Sequence, residues 1–242
     1  MTFVLNILHR DMSILAADRK AIARGLDTAA LGMSAPADSG SVVSDFNKIT
    51  LNSRLCLAIG IAGNTHEHYY IPEIRLSASV NDVLSEIRRS MEYFLRVNDR
   101  SALKLLPPFM VNQSIATFFD KDADMYCTNT FLFSPVENQS RLHSGGDVAK
   151  IFHAGSGSKY FEEVVGMECI ESFVSSTKES CTPEECIPWM QDAFEKVSAR
   201  DNYSGSEAMF VVSTRANPKF SKWDATMGSR NNGVRSCKIR SI

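Results

Sequence analysis

Short apolar segments separated by polar turns open the sequence. Residues 3–8 and 12–17 form one such pair, and residues 48–51 and 55–62 form a second. Apolar runs of about four to eight residues, bounded by polar turn residues, are typical of strands in β-hairpins. The pattern therefore predicts two hairpins. Residues 24–45, which are rich in Gly, Ser, Ala and Asp, are predicted to form a loop between them.

Helical periodicity begins farther along the chain. Apolar residues recur at helical spacing over 79–95, which predicts a helix that ends before the Pro-Pro pair at 107–108. Two more helices are predicted at about 158–176 and 182–200, and the second begins with Thr-Pro-Glu-Glu, the form of a capping box. Further strands are predicted at about 112–119, 125–133, 148–154 and 208–214.

The order of these elements favours a layered fold. Two sheets stacked face to face, with helices outside them, would cover both faces of each sheet. We therefore expect one domain over residues 1–242 with an α+β fold, in the form of a four-layer αββα sandwich. The loop at 24–45 would be an insertion. Residues 217–242 would be a basic C-terminal extension that is solvated or contacts another subunit, rather than one that binds nucleic acid.

Composition narrows the class of protein. The chain of 242 residues has 44% hydrophobic and 22% charged residues, as globular proteins do. Its formal net charge of −2 gives no general attraction to nucleic acid or to an anionic membrane. No apolar run reaches the roughly 18 residues of a membrane span, and the N-terminus has no basic leader. We expect a cytoplasmic protein with reduced cysteines and with no membrane or nucleic-acid partner.

Three short patterns resemble metal sites but lack the remaining ligands. Cys181 and Cys186 are close in sequence, but ordinary thiols at a helix start explain them better than zinc does. The His-Glu-His segment at 66–68 has no evident third ligand. The acidic segment at 120–124 lacks the glycine and the glutamate of a calcium loop. We expect no metal and no cofactor.

Thr2 is the first candidate for chemistry. Removal of Met1 would leave a residue that carries a hydroxyl and a free α-amine. A hydroxyl needs a neighbouring base to act as a nucleophile. An α-amine, with a pKa of about 7.7–8.0, can accept that proton near neutrality. A Met-Thr start is common, so the argument depends on residues elsewhere in the chain.

Five further segments, in order along the chain, strengthen this hypothesis. They are an acid after the first hairpin, a lysine before a strand, an Ala-Gly pair after the next strand, Gly-Ser-Gly-Ser before a helix, and Arg-Asp-x-x-Ser-Gly after a later helix. They lie at residues 15–19, 48–49, 61–63, 155–160 and 200–205. Together with Thr2, they resemble the proteasome β-subunit family of N-terminal-nucleophile hydrolases, which has bacterial relatives such as the HslV peptidase. The resemblance spans about residues 2–214.

The resemblance implies a threonine-type endopeptidase that cleaves polypeptides or peptides inside a self-assembled homo-oligomeric ring. A separate ATPase unfoldase is a further partner that the resemblance allows. The implied catalytic residues are Thr2, Asp18, Lys48, Gly63, Ser156, Asp201 and Ser204. The implied substrate-binding residues are Ile61 and Thr65.

Each implied role has a physical reason. Asp18 would hold Lys48, whose positive charge would lower the pKa of the Thr2 nucleophile. The N–H of Gly63 would bind the oxyanion of the tetrahedral intermediate. The α-amine and a water that relays its proton would be oriented by Ser156, Asp201 and Ser204.

Two other functions stay open on the sequence alone. A small-amide amidohydrolase of the same fold would use the same nucleophile with an open pocket. A non-catalytic or unprocessed assembly subunit would keep these residues without turnover. Three segments also depart from the family pattern. The loop at 24–45 is longer than its counterpart, residues 64–70 are a poor start for a helix, and the chain extends past the last matched strand as a basic tail.

Overall fold

Two antiparallel sheets of five strands each form the larger part of the described structure. The computed structural model describes residues 3–23, 41–43, 47–62, 77–97, 112–133 and 138–223. Within these ranges the strands are β1 (Phe3–His9), β2 (Met12–Asp18), β3 (Ala21–Ala23), β4 (Ser41–Val43), β5 (Ile49–Asn52), β6 (Leu57–Ala62), β7 (Asn112–Asp120), β8 (Met125–Phe133), β9 (Asn138–Ser144), β10 (Lys150–Gly155), β11 (Ala208–Thr214) and β12 (Asn217–Lys222). The helices are α1 (Val80–Val97), α2 (Ser158–Val165), α3 (Met167–Ser176) and α4 (Pro183–Ser198).

The strand register brings several element ends together. Sheet 1 has the order β10-β1-β2-β11-β12, sheet 2 has the order β5-β6-β7-β8-β9, and β3 pairs with β4. Phe3, at the start of β1, lies opposite Gly155 at the end of β10. Asp18, at the end of β2, lies opposite Ala208 at the start of β11. The starts of β1 and β11 and the ends of β2 and β10 therefore lie at the same end of sheet 1.

Three buried apolar clusters hold these elements together. The first joins the two sheets, the second joins sheet 1 to α2 and α4, and the third joins sheet 2 to α1. Every residue of β1 and β2 is buried, because one face of each strand lies against sheet 2 and the other against the helices. This double burial explains their near-continuous apolar sequences. The cluster between the sheets includes Val4 and Ala58, the cluster between sheet 1 and its helices includes Phe3 and Phe194, and the cluster between sheet 2 and α1 includes Ile59 and Val83.

A polar network is also buried between the two sheets. Asn6 Nδ2 donates to Ser13 Oγ at 2.9 Å, and Ser13 Oγ lies 2.8 Å from Thr117 Oγ1. Thr128 Oγ1 donates to Asn6 Oδ1 at 2.9 Å. All four side chains are fully buried. Since a buried polar group without a partner costs about 1–3 kcal/mol, this network favours the one alignment in which β1 and β2 face β7 and β8.

The structure confirms the predicted α+β class. Both N-terminal hairpins form, and the later predicted strands and helices are present near their predicted bounds. The finer prediction of a four-layer αββα sandwich stays a prediction, because α1 alone represents the outer layer on sheet 2 in the described ranges. The single domain over 1–242, with its insertion and extension, also stays a prediction.

Four local features differ from the sequence prediction. The helix predicted over 158–176 is two helices, because Gly166 between them has a φ of 86°, which favours glycine. The edge strand β9 was not predicted, since its sequence NQSRLHS contains one apolar residue. The predicted loop and basic extension contain the short strand β4 and the strand β12, respectively.

Thr128→Val tests the polar network, because it keeps the shape of the side chain and removes the hydroxyl that donates to Asn6. We expect the free energy of unfolding to fall by about 1–3 kcal/mol, since Asn6 Oδ1 loses a buried donor. Chemical denaturation followed by circular dichroism measures the change. Thr130→Val on the same strand is the control, because its hydroxyl makes only long contacts of 3.4–3.5 Å. Equal destabilisation by the two substitutions would contradict this account.

Candidate active site

The carboxylate of Asp18 is fully buried and accepts hydrogen bonds from three segments of the chain. Phe3 N donates to Oδ2 at 2.6 Å, and Lys20 N donates to Oδ1 at 2.9 Å. Lys48 Nζ donates to Oδ1 at 2.7 Å. A buried carboxylate is tolerated as an anion only with such partners. Asp18 therefore connects the start of β1, the turn after β2 and the residue before β5.

Lys48 is held by its backbone as well as by its side chain. Its carbonyl accepts a hydrogen bond from Ile61 N at 3.1 Å, which fixes the residue beside the end of β6. Its ammonium group is 4% exposed and also donates to the backbone carbonyl of Lys20. Lys48 and Asp18 form the buried ion pair of the site, named below the Asp18–Lys48 pair.

Burial and pairing act in opposite directions on this pair. Burial lowers the pKa of Lys48, and the negative charge of Asp18 opposes that shift. Burial likewise raises the pKa of Asp18, and the ammonium of Lys48 opposes it together with the two backbone N–H donors. Each charge is therefore stabilised chiefly by the other.

A second buried carboxylate lies after α4. Asp201 Oδ2 accepts hydrogen bonds from Ser156 Oγ and from Ser204 Oγ, both at 2.6 Å. Asp201 Oδ1 accepts one from Tyr203 N at 3.1 Å. The backbone N–H of Asp201 donates to Val197 O at 2.8 Å, so the end of α4 fixes its position. Ser156, Asp201 and Ser204 are 2–3% exposed and are named below the Asp201 cluster.

Close glycine packing places Ser156 beside the start of β1. Gly155 has a φ of 97°, which favours glycine, and its N–H donates to Gln113 Oε1 at 2.5 Å. A Cβ on Gly157 would lie 2.7 Å from a methyl carbon of Val197 and 2.9 Å from the Phe3 side chain. The glycines of the Gly-Ser-Gly-Ser segment thus allow α2 to begin directly against Phe3 and α4.

The Asp18–Lys48 pair and the Asp201 cluster are neighbours. Lys20 Nζ donates to the backbone carbonyl of Asn202 at 2.6 Å. A Cβ on Gly205 would lie 3.0 Å from Lys20 Cβ and 3.6 Å from Asp18 Oδ1. The negative charge of Asp201 also raises the pKa of Lys48, against the effect of burial. The loop after α4 therefore packs against the end of β2, and the two carboxylates belong to one site.

The structure brings together five of the residues that the sequence singled out. These are Asp18, Lys48, Ser156, Asp201 and Ser204. Thr2, Gly63 and Thr65 lie outside the described residues, so their predicted roles stay predictions. The side chain of Ile61 is 3% exposed and packs in the cluster between sheet 2 and α1. Only its backbone is placed beside Lys48 here, and its role in shaping a substrate pocket stays a prediction.

Lys20 is the contributor that the sequence reasoning missed. Its N–H binds Asp18, its carbonyl accepts from Lys48, and its ammonium binds the loop after α4. Two of these contacts use the backbone, so the residue type at position 20 gave little indication that it contributes to the site. Its position two residues after Asp18 was the available indication, because a carboxylate often accepts an N–H two residues farther on.

The described ranges contain no group of three or more His, Cys, Asp and Glu side chains placed to hold a metal ion. The segment at 66–68 lies outside these ranges. Asp120 Oδ1 accepts the N–H groups of Asp122 and Ala123, which is a local turn. No helix in the described part of the chain has both the length and the apolar character needed to cross a membrane.

No protein-family model matches the chain, and no curated protein matches it. The fold is similar to two solved structures of Anbu from Hyphomicrobium sp. strain MC1, one of which is the Gly-1 mutant. Each has 11% sequence identity to this chain, a TM-score of 0.56 and coverage of 91% of it. The match covers 85% of the mutant chain and 84% of the other. Anbu is a bacterial proteasome-like protein, and at this sequence identity the likeness shows a shared fold.

These comparisons correct the family assignment made from the sequence. The assignment to the proteasome β-subunit family, as a homologue of HslV, is wrong, because no family model or curated protein supports it. The two solved structures named above are Anbu chains at 11% identity. The motifs behind the assignment are short and lie at the ends of strands and helices. Such motifs follow from the geometry of a fold, so they do not discriminate among families that share it.

Substitution of Lys48 and substitution of Asp18 should change the pH dependence of the free energy of unfolding in opposite directions. In Lys48→Met, burial holds the pKa of Asp18 above its unfolded value of about 3.9. The folded state then binds a proton that the unfolded state has lost, and the free energy of unfolding falls as pH rises above about 4. In Asp18→Asn, burial holds the pKa of Lys48 below its unfolded value of about 10.4. The free energy of unfolding should then rise as pH increases toward about 10.

Urea denaturation at several pH values, with each variant referred to the wild type, measures these slopes. Each single substitution should destabilise the protein by about 3–5 kcal/mol near neutrality, because it leaves a buried charge without its partner. Lys196→Met is the matched control, since it removes an exposed ion pair with Asp192. It should follow the wild type at every pH. The same slope in the two site variants would contradict the assigned effects of burial.

Proposed function

We propose that this protein hydrolyses peptide bonds with the hydroxyl of Thr2 as nucleophile, once Met1 has been removed. One observation carries the proposal. The carboxylate of Asp18 binds both Phe3 N, at 2.6 Å, and the buried ammonium of Lys48, at 2.7 Å. Phe3 N is the peptide nitrogen that follows Thr2 in the chain, so this carboxylate links a buried cation to the start of the chain.

The Asp18–Lys48 pair supports an activated nucleophile. A positive charge close to a hydroxyl favours the alkoxide and lowers the pKa of the hydroxyl. Burial strengthens the effect, because the electrostatic interaction is screened less than in water. Asp18 keeps the lysine charged and fixes its position, and a flexible lysine at the surface would do neither.

The Asp201 cluster supports the second requirement, which is an oriented base. Ser156 directly follows Gly155, and Gly155 lies opposite Phe3 in the sheet. Ser156 therefore lies beside the start of the strand that Thr2 precedes, and its hydrogen bond to Asp201 joins that carboxylate and Ser204 to the same cluster. These side chains are suited to bind an α-amine and a water molecule, since hydroxyls both donate and accept hydrogen bonds.

In the proposed reaction, the proton of the Thr2 hydroxyl passes to the α-amine, directly or through water, as the oxygen attacks the carbonyl carbon. The N–H of Gly63, which lies outside the described residues, would bind the oxyanion of the intermediate. Collapse of the intermediate transfers the proton to the departing amine and leaves an ester on Thr2. A water molecule, deprotonated by the α-amine, then hydrolyses the ester and restores the residue.

We extend the proposal to architecture and assembly. The chain forms a single domain with a four-layer αββα sandwich, and copies of it close into a homo-oligomeric ring in the cytoplasm. The three apolar clusters support the layered arrangement. Ring closure would keep folded proteins away from an unselective endopeptidase site. Native mass spectrometry tests assembly, and a monomer at working concentration would exclude the ring.

Thr2→Ala removes the proposed nucleophile and leaves the α-amine in place. We expect the rate of fluorogenic peptide hydrolysis to fall by at least about 10³-fold. Thr2→Ser should keep a measurable rate, because it retains a hydroxyl beside the amine. The intact mass of the wild type should lack Met1. Thr214→Ala, which changes a threonine at the opposite end of sheet 1, is the control and should hydrolyse the peptide at the wild-type rate.

The same experiment separates the alternative functions. Equal rates for the wild type and Thr2→Ala would exclude the proposed nucleophile, as would full activity in a chain that retains Met1. Turnover of small amides without turnover of longer peptides would favour the amidohydrolase. Absence of turnover in a chain that lacks Met1 would favour an assembly subunit.

A further inference from the structure

Two cysteines lie together at the start of α4, far from the candidate site. The sulfur atoms of Cys181 and Cys186 are 4.0 Å apart. Cys186 is 1% exposed and belongs to the apolar cluster between sheet 1 and the helices, while Cys181 is only partly buried. The helix has 16 residues and is therefore about 24 Å long, and Asp201 follows its other end. Neither thiol has a role in the proposed hydrolysis.

The start of the helix explains why these side chains meet. Thr182 has the extended backbone of an N-cap residue, with φ −118° and ψ 154°, and Pro183 is the first helical residue. Cys181 therefore precedes the cap, and Cys186 is the fourth residue of the helix. Side chains at these two positions normally pack against each other and set the angle at which the chain enters the helix. Here both are thiols.

Hydrogen bonds also fix this turn. Glu185 Oε2 accepts from Ser180 Oγ at 2.8 Å and from Thr182 Oγ1 at 3.0 Å. The backbone N–H of Glu185 donates to Thr182 O at 3.2 Å. The segment on which Cys181 lies is thus held over the first turn of α4, so the sulfur contact does not depend on a chance rotamer of an exposed side chain.

We propose that Cys181 and Cys186 are a redox-modification site, in which hydroperoxides convert the two thiols into a reversible disulfide. The sulfur atoms need to approach from 4.0 Å to about 2.05 Å. Cys186 is fixed in the core, so Cys181, which lies before the helix and is partly exposed, makes most of this movement. This partial exposure also makes Cys181 the thiol that the oxidant reaches first.

The reaction proceeds in two balanced steps. The thiolate of Cys181 attacks the outer oxygen of a hydroperoxide, the O–O bond breaks, and an alcohol (or water, from hydrogen peroxide) leaves with the thiol proton. Cys181 is then a sulfenic acid. The sulfur of Cys186 attacks Cys181 Sγ, the S–S bond forms, the S–O bond breaks, and water leaves with the proton of Cys186. Two thiols are oxidised by two electrons and one hydroperoxide is reduced.

The local electrostatics agree with these roles. The hydrogen bond from Cys186 lowers the pKa of Cys181, although partial burial opposes the shift. The same contact, together with burial, raises the pKa of Cys186. A helix N-terminus also favours a thiolate beside it. Cys181 therefore attacks the oxidant, and Cys186 resolves the sulfenic acid.

Peptide mapping of the folded wild type tests the proposal. Trypsin releases residues 179–196 as one peptide, which contains Cys181 and Cys186 and no other cysteine. After treatment with hydrogen peroxide and then alkylation, this peptide should be lighter than its reduced form by two hydrogen atoms and should carry no alkyl group. Subsequent reduction with a thiol should restore both alkylation sites. Two alkylated thiols in this peptide, under conditions that oxidise Cys169, would overturn the proposal.

Matched variants test the order of the two steps. Cys186→Ser should accumulate a sulfenic acid on Cys181, which a dione reagent traps, and Cys181→Ser should form neither that adduct nor a disulfide. Cys127→Ser changes a buried thiol elsewhere and should leave the disulfide yield unchanged. A sulfenic acid on Cys186 in the Cys181→Ser variant, or a cross-link from either cysteine to a different peptide, would overturn the assigned site.

Discussion

The buried carboxylate of Asp18 is the contact on which the arrangement of the site depends. It lies at the end of a strand in sheet 1, while its partner Lys48 precedes the first strand of sheet 2. The ion pair therefore crosses from one sheet to the other at the end where the chain begins. Because the same carboxylate binds Phe3 N, the start of β1 is fixed relative to both sheets. The apolar clusters hold the sheets together, and this carboxylate sets the start of β1 against Lys48.

Joining two sheets through a buried ion pair has a large free-energy cost. Desolvation of two charges costs several kcal/mol for each ion, and apolar side chains of similar volume often serve stability as well or better. The chain also aligns the sheets with neutral polar groups, whose burial costs less free energy than the burial of charges. These groups form the network of Asn6, Ser13, Thr117 and Thr128. Stability alone therefore does not account for a charged pair at the start of β1. Buried charges with shifted pKa values concentrate at functional sites, and this one lies beside a second buried carboxylate.

The predictable parts of the fold are those whose burial produces a recognisable pattern of apolar residues in the sequence. The strands β1 and β2 are buried on both faces and are apolar almost throughout, so their bounds were predicted closely. The edge strand β9 is held by backbone hydrogen bonds to β8, and backbone bonding has no sequence period. The break at Gly166 depends on a backbone conformation, which a glycine permits but does not require. Hydrophobic patterning could detect neither feature.

The candidate site shows the same division, although for a different reason. The five residues that meet there lie at the ends of elements: at the end of β2, before β5, after β10 and after α4. In antiparallel sheets these ends come to one side, so the order of short polar motifs along the chain contains information about a shared site. That information concerns geometry, and it is common to every family with the same strand order. It could therefore predict which residues meet and still give the wrong family. The contacts of Lys20 use mainly its backbone, and a backbone contact leaves no mark on the residue type. Assignment of a reaction to such a site thus depends on a chemical property that motif order does not encode, namely the presence of a free α-amine on Thr2.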